Sequence, residues 1–193
     1  MTTRFIFIRH AKQKQDPKLH AKEWVLTIPG KRKAEKICAL PELTEADVLY
    51  ASDEVKAQMT IQPLAARLGK KIHVSRAFNE IERGKKYLTK DAFAREKQRQ
   101  LEDLDYPAFN GESGRVALAR FKREVCELGR RHAGKTIVVA THGTILTIYF
   151  ADLLGVLDKL VERWQRAEFG AWGIVEDGRV VKDLLPAAPH GAL

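Results

Sequence analysis

The sequence has few cysteines, no long apolar run and no surplus of acidic charge, and each shortage removes a class of protein. Its two cysteines, Cys38 and Cys126, lie far apart and form no CxxC pair. Neither a zinc site nor a disulfide framework is supported, and both thiols are expected to be free and buried in helices. The longest apolar stretch, around Thr136 to Ala151, is interrupted by Thr141, His142, Gly143 and Thr144, which argues against a membrane span. The apolar run that ends at Arg9 and His10 is too short for a signal-peptide core and lacks a small-residue cleavage site. The expectation is therefore an intracellular, cytoplasmic protein. Internal repeats, low-complexity tracts and interdomain linkers are also missing.

What is present suits one compact domain of 193 residues, 1–193, with room for an insertion. Hydrophobic residues make up 45% and charged residues 31%, a balance of globular rather than disordered chains. The net charge of +9 is concentrated early: Arg4, Arg9, Lys12, Lys14, Lys18, Lys22, Lys31, Arg32, Lys33 and Lys36 face only Asp16, Glu23 and Glu35. Such a field attracts anions, whether phosphorylated metabolites, phosphoproteins or nucleic acid. The aromatic residues are not interleaved with these charges, which argues against a nucleic-acid groove.

Strands and helices alternate along the chain. RFIFIRH reads as a buried strand, and VLTIPGKRKAEKICAL as a turn and helix with Thr27 near its cap and Pro29 near its start. DVLYAS is a second strand, followed by a helix from Glu54 to Leu68 that Gly69 ends. KKIHVS is a third. A charged loop and a polar helix then run to about Leu104, and a break from Tyr106 to Gly111 precedes a long helix reaching Arg131. KTIVVAT is a fourth strand, running into His142-Gly143 and an apolar helix. The tail from Glu168 to Leu185 reads as a hairpin turning at Asp177-Gly178. This order predicts an α/β three-layer sandwich, a mostly parallel sheet with helices on both faces. Residues 78–111 break the rhythm and read as a small capping insertion.

Two features then line up. Arg9-His10 closes one strand and Thr141-His142-Gly143 closes another. Ligands of open α/β sheets bind beyond the carboxyl ends of the strands, so both histidines face one crevice if the strands are neighbours. A helix starting near Gly143 adds free backbone N–H groups that favour an anion. Two imidazoles, an arginine and a helix N-terminus describe a phosphate site better than a metal site, because no carboxylate lies close in sequence to either histidine.

These residues also sit in a familiar order. The chain resembles the histidine phosphatase superfamily, which includes phosphoglycerate mutases and phosphohistidine phosphatases. RHA at Arg9 to Ala11 is similar to the family's RHG, LTIPGKRKA to its LTxxG block, and SDEVKAQMT to SDxxRAxQT. FNEIERG resembles LxExxxG, Gly111 to Ser113 matches the start of a long helix, and VVATHG matches the second-histidine strand. The resemblance implies that His10 attacks phosphorus and carries the phosphoryl group. It implies that Arg9, Lys56, His142 and the Gly143 N–H bind phosphate oxygens, and that Glu80 handles protons on the leaving-group side. No metal and no organic cofactor is implied.

Lys56 stands where the family has arginine. It keeps the charge but loses the planar fork that holds two oxygens at once. The expected activity is hydrolysis of a phosphomonoester or phosphoprotein through a phosphohistidine. The alternatives are a phosphate-binding member with weak or no turnover, which the Lys56 exchange motivates, and a mutase, for which the chain is short. His20, His73, His132 and His190 have no motif support. Trp24, Trp164 and Trp172 are expected to pack rather than to stack on a ligand.

Overall fold

In a computed structural model of the chain, residues 2–83 and 89–185 are described. Six strands form one mixed sheet: β1 (Arg4–Arg9), β2 (Val48–Ala51), β3 (Ile72–Val74), β4 (Thr136–Thr141), β5 (Trp172–Glu176) and β6 (Arg179–Lys182). Their spatial order is β3-β2-β4-β1-β5-β6. The first four in that order are parallel, and the β5–β6 hairpin adds antiparallel to β1. The helices are α1 (Ile28–Cys38), α2 (Val55–Leu68), α3 (Lys90–Glu102), α4 (Gly114–Arg131), α5 (Gly143–Leu154) and α6 (Leu160–Arg166). No helix of the described residues is long and apolar enough to cross a membrane.

β1 is a continuous apolar run because it is covered on both faces. Side chains alternate across a strand, so Phe5 and Phe7 enter one core while Ile6 and Ile8 enter the other. The first core joins Phe5 and Phe7 to Phe121 of α4 and to Tyr149 and Phe150 of α5. The second packs Ile6, Ile8, Val138 and Ala140 against Ile37 of α1 and Ile61 and Leu64 of α2. These two cores are the layers of the α/β sandwich.

Local signals end the elements where the sequence placed them. Thr27 caps α1, its side chain accepting from Gly30 N, and Ser113 caps α4 by accepting from Val116 N. The β5–β6 turn places Asp177 at φ 45° and Gly178 at φ 80°, the left-handed pair that a two-residue hairpin needs. Two features differ from the sequence reading. Helix α6 was not anticipated, because the seven residues from Leu160 to Arg166 offer too short a window for a period. Cys126 is exposed rather than buried. The buried positions of α4 are Gly114, Ala117, Leu118, Phe121 and Leu128, and residue 126 falls off that stripe. Cys38 is buried as expected.

Of residues 78–111, residues 84–88 lie outside the described part, and Lys97 of α3 donates to Thr144 at the start of α5. Two bonds close the base of this segment. Glu112 N donates to Glu82 O at 3.0 Å, and Glu82 N donates to Glu112 Oε2 at 3.3 Å. Arg120 of α4 clamps the start of the loop, donating to Ala77 O (2.7 Å), Asn79 O (3.0 Å) and Glu80 O (3.1 Å). Its guanidinium is itself held by both oxygens of Glu112 at 2.8 Å.

Phe121 is fully buried and lies 5.3 Å from Phe78 and 4.9 Å from Tyr149, ring centre to ring centre. Phe121→Ala is expected to lower unfolding stability by about 3–5 kcal/mol, read as a lower urea midpoint at unchanged m value.

Candidate phosphate site at the strand ends

The register of β1 against β4 pairs Ile8 with Ala140 and Arg9 with Thr141. The next residues, His10 and His142, therefore emerge side by side, their ring centres 5.1 Å apart. On the other side of β4, Ala51 pairs with Ala140, which places Ser52 next to the same histidine. Three adjacent parallel strands thus end on one spot, the location expected for a ligand site in such a sheet.

His10 is buried, and its Nδ1 lies 2.9 Å from Ala11 O. A carbonyl oxygen only accepts, so Nδ1 carries the hydrogen and Nε2 is left with a lone pair. Burial lowers the His10 pKa well below its ordinary value, and His142, Lys56 and Arg9 push it further down. The imidazole is neutral at physiological pH. That is the state a nucleophile needs.

Arg9 lies over the ring of Phe169, with Cζ 4.3 Å from the ring centre, and donates through Nη1 to Ala167 O. Gly143 permits this position: a Cβ there would sit 2.7 Å from Arg9 Cζ. His142 is the residue before α5, buried, with Nε2 2.7 Å from Ser52 Oγ and 3.4 Å from Glu54 Oε1. Burial first, then Lys56, Arg120 and Arg9, hold its pKa at about 3 against the pull of Glu80. It too is neutral.

Lys56, in the first turn of α2, is buried and paired with the buried carboxylate of Glu54. Its ammonium also donates to Ala21 O at 2.9 Å. Two of its three N–H bonds are therefore used within the protein, which leaves one for an oxygen of a ligand.

Glu80 is half-buried and bound to the start of α5. Its carboxylate accepts from Thr144 N (2.9 Å) and Ile145 N (3.1 Å), and also from Ile81 N (3.0 Å). The helix start was expected to offer its N–H groups freely to an anion. Two of them are instead occupied by this side chain, an anion that the protein supplies itself. Burial raises the Glu80 pKa, but Lys97, His142 and the N–H bonds outweigh it and bring the group to about 2.

Lys97 was not anticipated. It projects from α3, is buried, and donates to Gln100 Oε1 (2.6 Å) and Thr144 Oγ1 (3.1 Å). Burial lowers its pKa to about 8, Glu80 opposing and Arg83 and Arg9 assisting. Nothing in its local sequence marks it, because the polar stripe of α3 carries several equivalent cations. Ser52 and Glu54 stand inside the SDEVKAQMT block, of which the family resemblance singles out only Lys56. Among the described residues, no group of three or more His, Cys, Asp or Glu side chains is arranged to hold a metal ion.

The family model of the histidine phosphatase superfamily, branch 1, matches residues 5–177. Mycobacterial glucosyl-3-phosphoglycerate phosphatase superimposes with a TM-score of 0.78 at 17% identity, over 96% of this chain and 100% of that one. The α-ribazole phosphatase of Shigella flexneri gives 0.74 at 20% identity, over 98% and 99%. A phosphoserine phosphatase from Entamoeba histolytica gives 0.71 at 21% identity, over 98% and 100%. At these identities the likeness establishes a shared fold. No curated protein sequence matches the chain significantly.

The electrostatics give a pH dependence with a definite sign. His10 and His142 have folded pKa values below the unfolded value near 6.5, so below that pH the unfolded chain binds protons that the folded chain refuses. Stability from these groups is full above about pH 6.5 and is lost as pH falls toward about 3, by up to about 1.4 kcal/mol per pH unit for each histidine. Urea unfolding from pH 7 to 4 is expected to show this decline, and His142→Asn to flatten it.

Proposed function

Because the chain belongs to the histidine phosphatase superfamily, we propose that it hydrolyses phosphomonoesters through a phosphohistidine formed on Nε2 of His10. The observation that carries this reading is the neutral, Nδ1-bonded His10 beside His142 and Arg9 at the ends of two paired strands.

In the first step the Nε2 lone pair attacks phosphorus. The bond from phosphorus to the ester oxygen breaks, and its electron pair leaves on that oxygen. Arg9, Lys56, His142 and the Gly143 N–H grip the equatorial oxygens as charge shifts across them. Glu80 supplies the proton to the departing oxygen. A dianionic phosphoryl group beside its carboxylate raises its proton affinity from the low value set by Lys97 and the N–H bonds. In the second step water attacks the phosphoryl group, the P–N bond breaks, Glu80 takes the proton, and His10 is restored with release of orthophosphate. Acid–base assistance of this kind is typically worth about 10²–10⁴ in rate.

The substrate in this reading is a phosphorylated small molecule or a phosphoprotein. Names of the structural neighbours support the first: they act on glucosyl-3-phosphoglycerate, α-ribazole phosphate and phosphoserine. Residues 78–111 serve within a single domain as the cap around the leaving group. Supporting this, Lys97 of that segment reaches Thr144 at the start of α5. The reading places the enzyme in the cytoplasm.

One observation favours a second reading, a phosphate-binding member with weak turnover: the Lys56 ammonium is already engaged by Glu54 and Ala21 O.

Turnover of a chromogenic phosphomonoester without added metal is expected for the wild type and is expected to vanish in His10→Ala. Retention of the rate in that variant refutes the proposed nucleophile. Lys56→Arg, which restores the fork, is expected to raise kcat/KM by roughly tenfold to a hundredfold. A folded wild type without turnover, together with tight phosphate binding, selects the second reading.

A further inference from the structure

β2 delivers Ser52 to the site, and no step above uses it. Ser52 is fully buried, and its Oγ accepts from Glu54 N at 3.3 Å while lying 2.7 Å from His142 Nε2. The other ring nitrogen of His142, Nδ1, is buried and has no hydrogen-bond partner among the described residues.

A neutral imidazole carries one ring hydrogen, and the two places for it are not equivalent here. With the hydrogen on Nδ1, the serine hydroxyl donates to Nε2, and Nδ1–H alone is unsatisfied. With the hydrogen on Nε2, the ring donates to Ser52 and the hydroxyl hydrogen loses its acceptor. Nδ1 is then left with a bare lone pair, so two buried groups are unpaired instead of one. Glu54 pulls toward the second form. However, its Oε1 is 3.4 Å from Nε2, against 2.7 Å for Ser52, and its carboxylate already accepts from Lys56 Nζ and from Glu80 N.

We infer that Ser52 is a positioning residue that fixes His142 as the Nδ1–H tautomer, with its unpartnered N–H directed toward the ligand beside His10. The inference rests on the reading of His142 as a phosphate ligand and sharpens it. An N–H donor adds a hydrogen bond to a phosphoryl oxygen without adding charge, whereas a lone pair in the same place repels the dianion.

The tautomer is measurable without turnover. In protein labelled with 15N-histidine, two-bond proton–nitrogen correlations separate a protonated ring nitrogen from a bare one, and His142 is assigned by its loss in His142→Asn. The wild type at pH 7 is expected to show a protonated Nδ1 and a bare Nε2. Ser52→Ala is expected to move the hydrogen toward Nε2 and to weaken inorganic phosphate binding by about tenfold, the loss of one hydrogen bond. Ser52→Thr, which keeps the hydroxyl, is expected to restore both. A wild-type His142 protonated on Nε2 overturns the inference, even if Ser52→Ala does not fold. A Ser52→Ala protein with an unchanged tautomer also overturns it. A protonated Nδ1 whose signal ignores added phosphate upholds the role of Ser52 and counts against the phosphate-pocket reading. The two failures are therefore distinct.

Discussion

The parallel register of β1 on β4 is the constraint from which the site follows. Arg9 opposite Thr141 sets His10 beside His142, and the same strand β4, read from its other edge, sets Ser52 against that histidine. Slipping β1 by one residue would exchange the Phe5–Phe7 and Ile6–Ile8 faces between two cores of different shape. The packing that specifies the sheet therefore specifies the distance between the imidazoles. The side chains that meet a ligand need no separate device to bring them together.

Much of the charge in the site is paired within the protein before any phosphate is considered. Arg9, Lys56 and Lys97 are set against Glu54 and Glu80, all in or beside a desolvated pocket. Lys56 and Glu54 form a buried pair of the kind in which loss of one partner usually costs about 3–5 kcal/mol. Glu80 sits on the positive end of α5 and holds Lys97 charged at neutral pH despite its burial. The arrangement keeps a net positive excess for a dianion without leaving isolated buried cations in the protein itself. It also ties the Glu80 carboxylate to the first turn of α5.

The residues legible in the sequence are those whose placement follows from local rules. His10 and His142 end strands, and strand ends are where such sheets bind ligands. Thr27, Ser113, Gly69 and the Asp177-Gly178 turn announce element boundaries through backbone chemistry. The contacts that were not legible depend on pairings between distant segments. Glu80 is named by the family resemblance, but its bonds to the N–H groups of Thr144 and Ile145 span 64 and 65 positions. Lys97 finds Thr144 across 47 positions, and Ser52 finds His142 across 90. Cys126 is exposed because it lies off the buried stripe of α4, a phase that residue type alone does not announce. Charge, residue type and spacing do not encode these contacts. Sheet order does.

The two bonds between Glu82 and Glu112 have a consequence for how such chains diversify. They bring both ends of the intervening segment to one point, while Arg120 anchors the Glu80 loop to α4 from outside it. A replacement segment spliced between those ends meets a closure already made by the scaffold. Each doubling of its length adds only about 0.6 kcal/mol of entropic cost. If the segment roofs the leaving group as proposed, it is in this sense an exchangeable cassette, free to drift toward new alcohols while the strand-end site beneath it is retained.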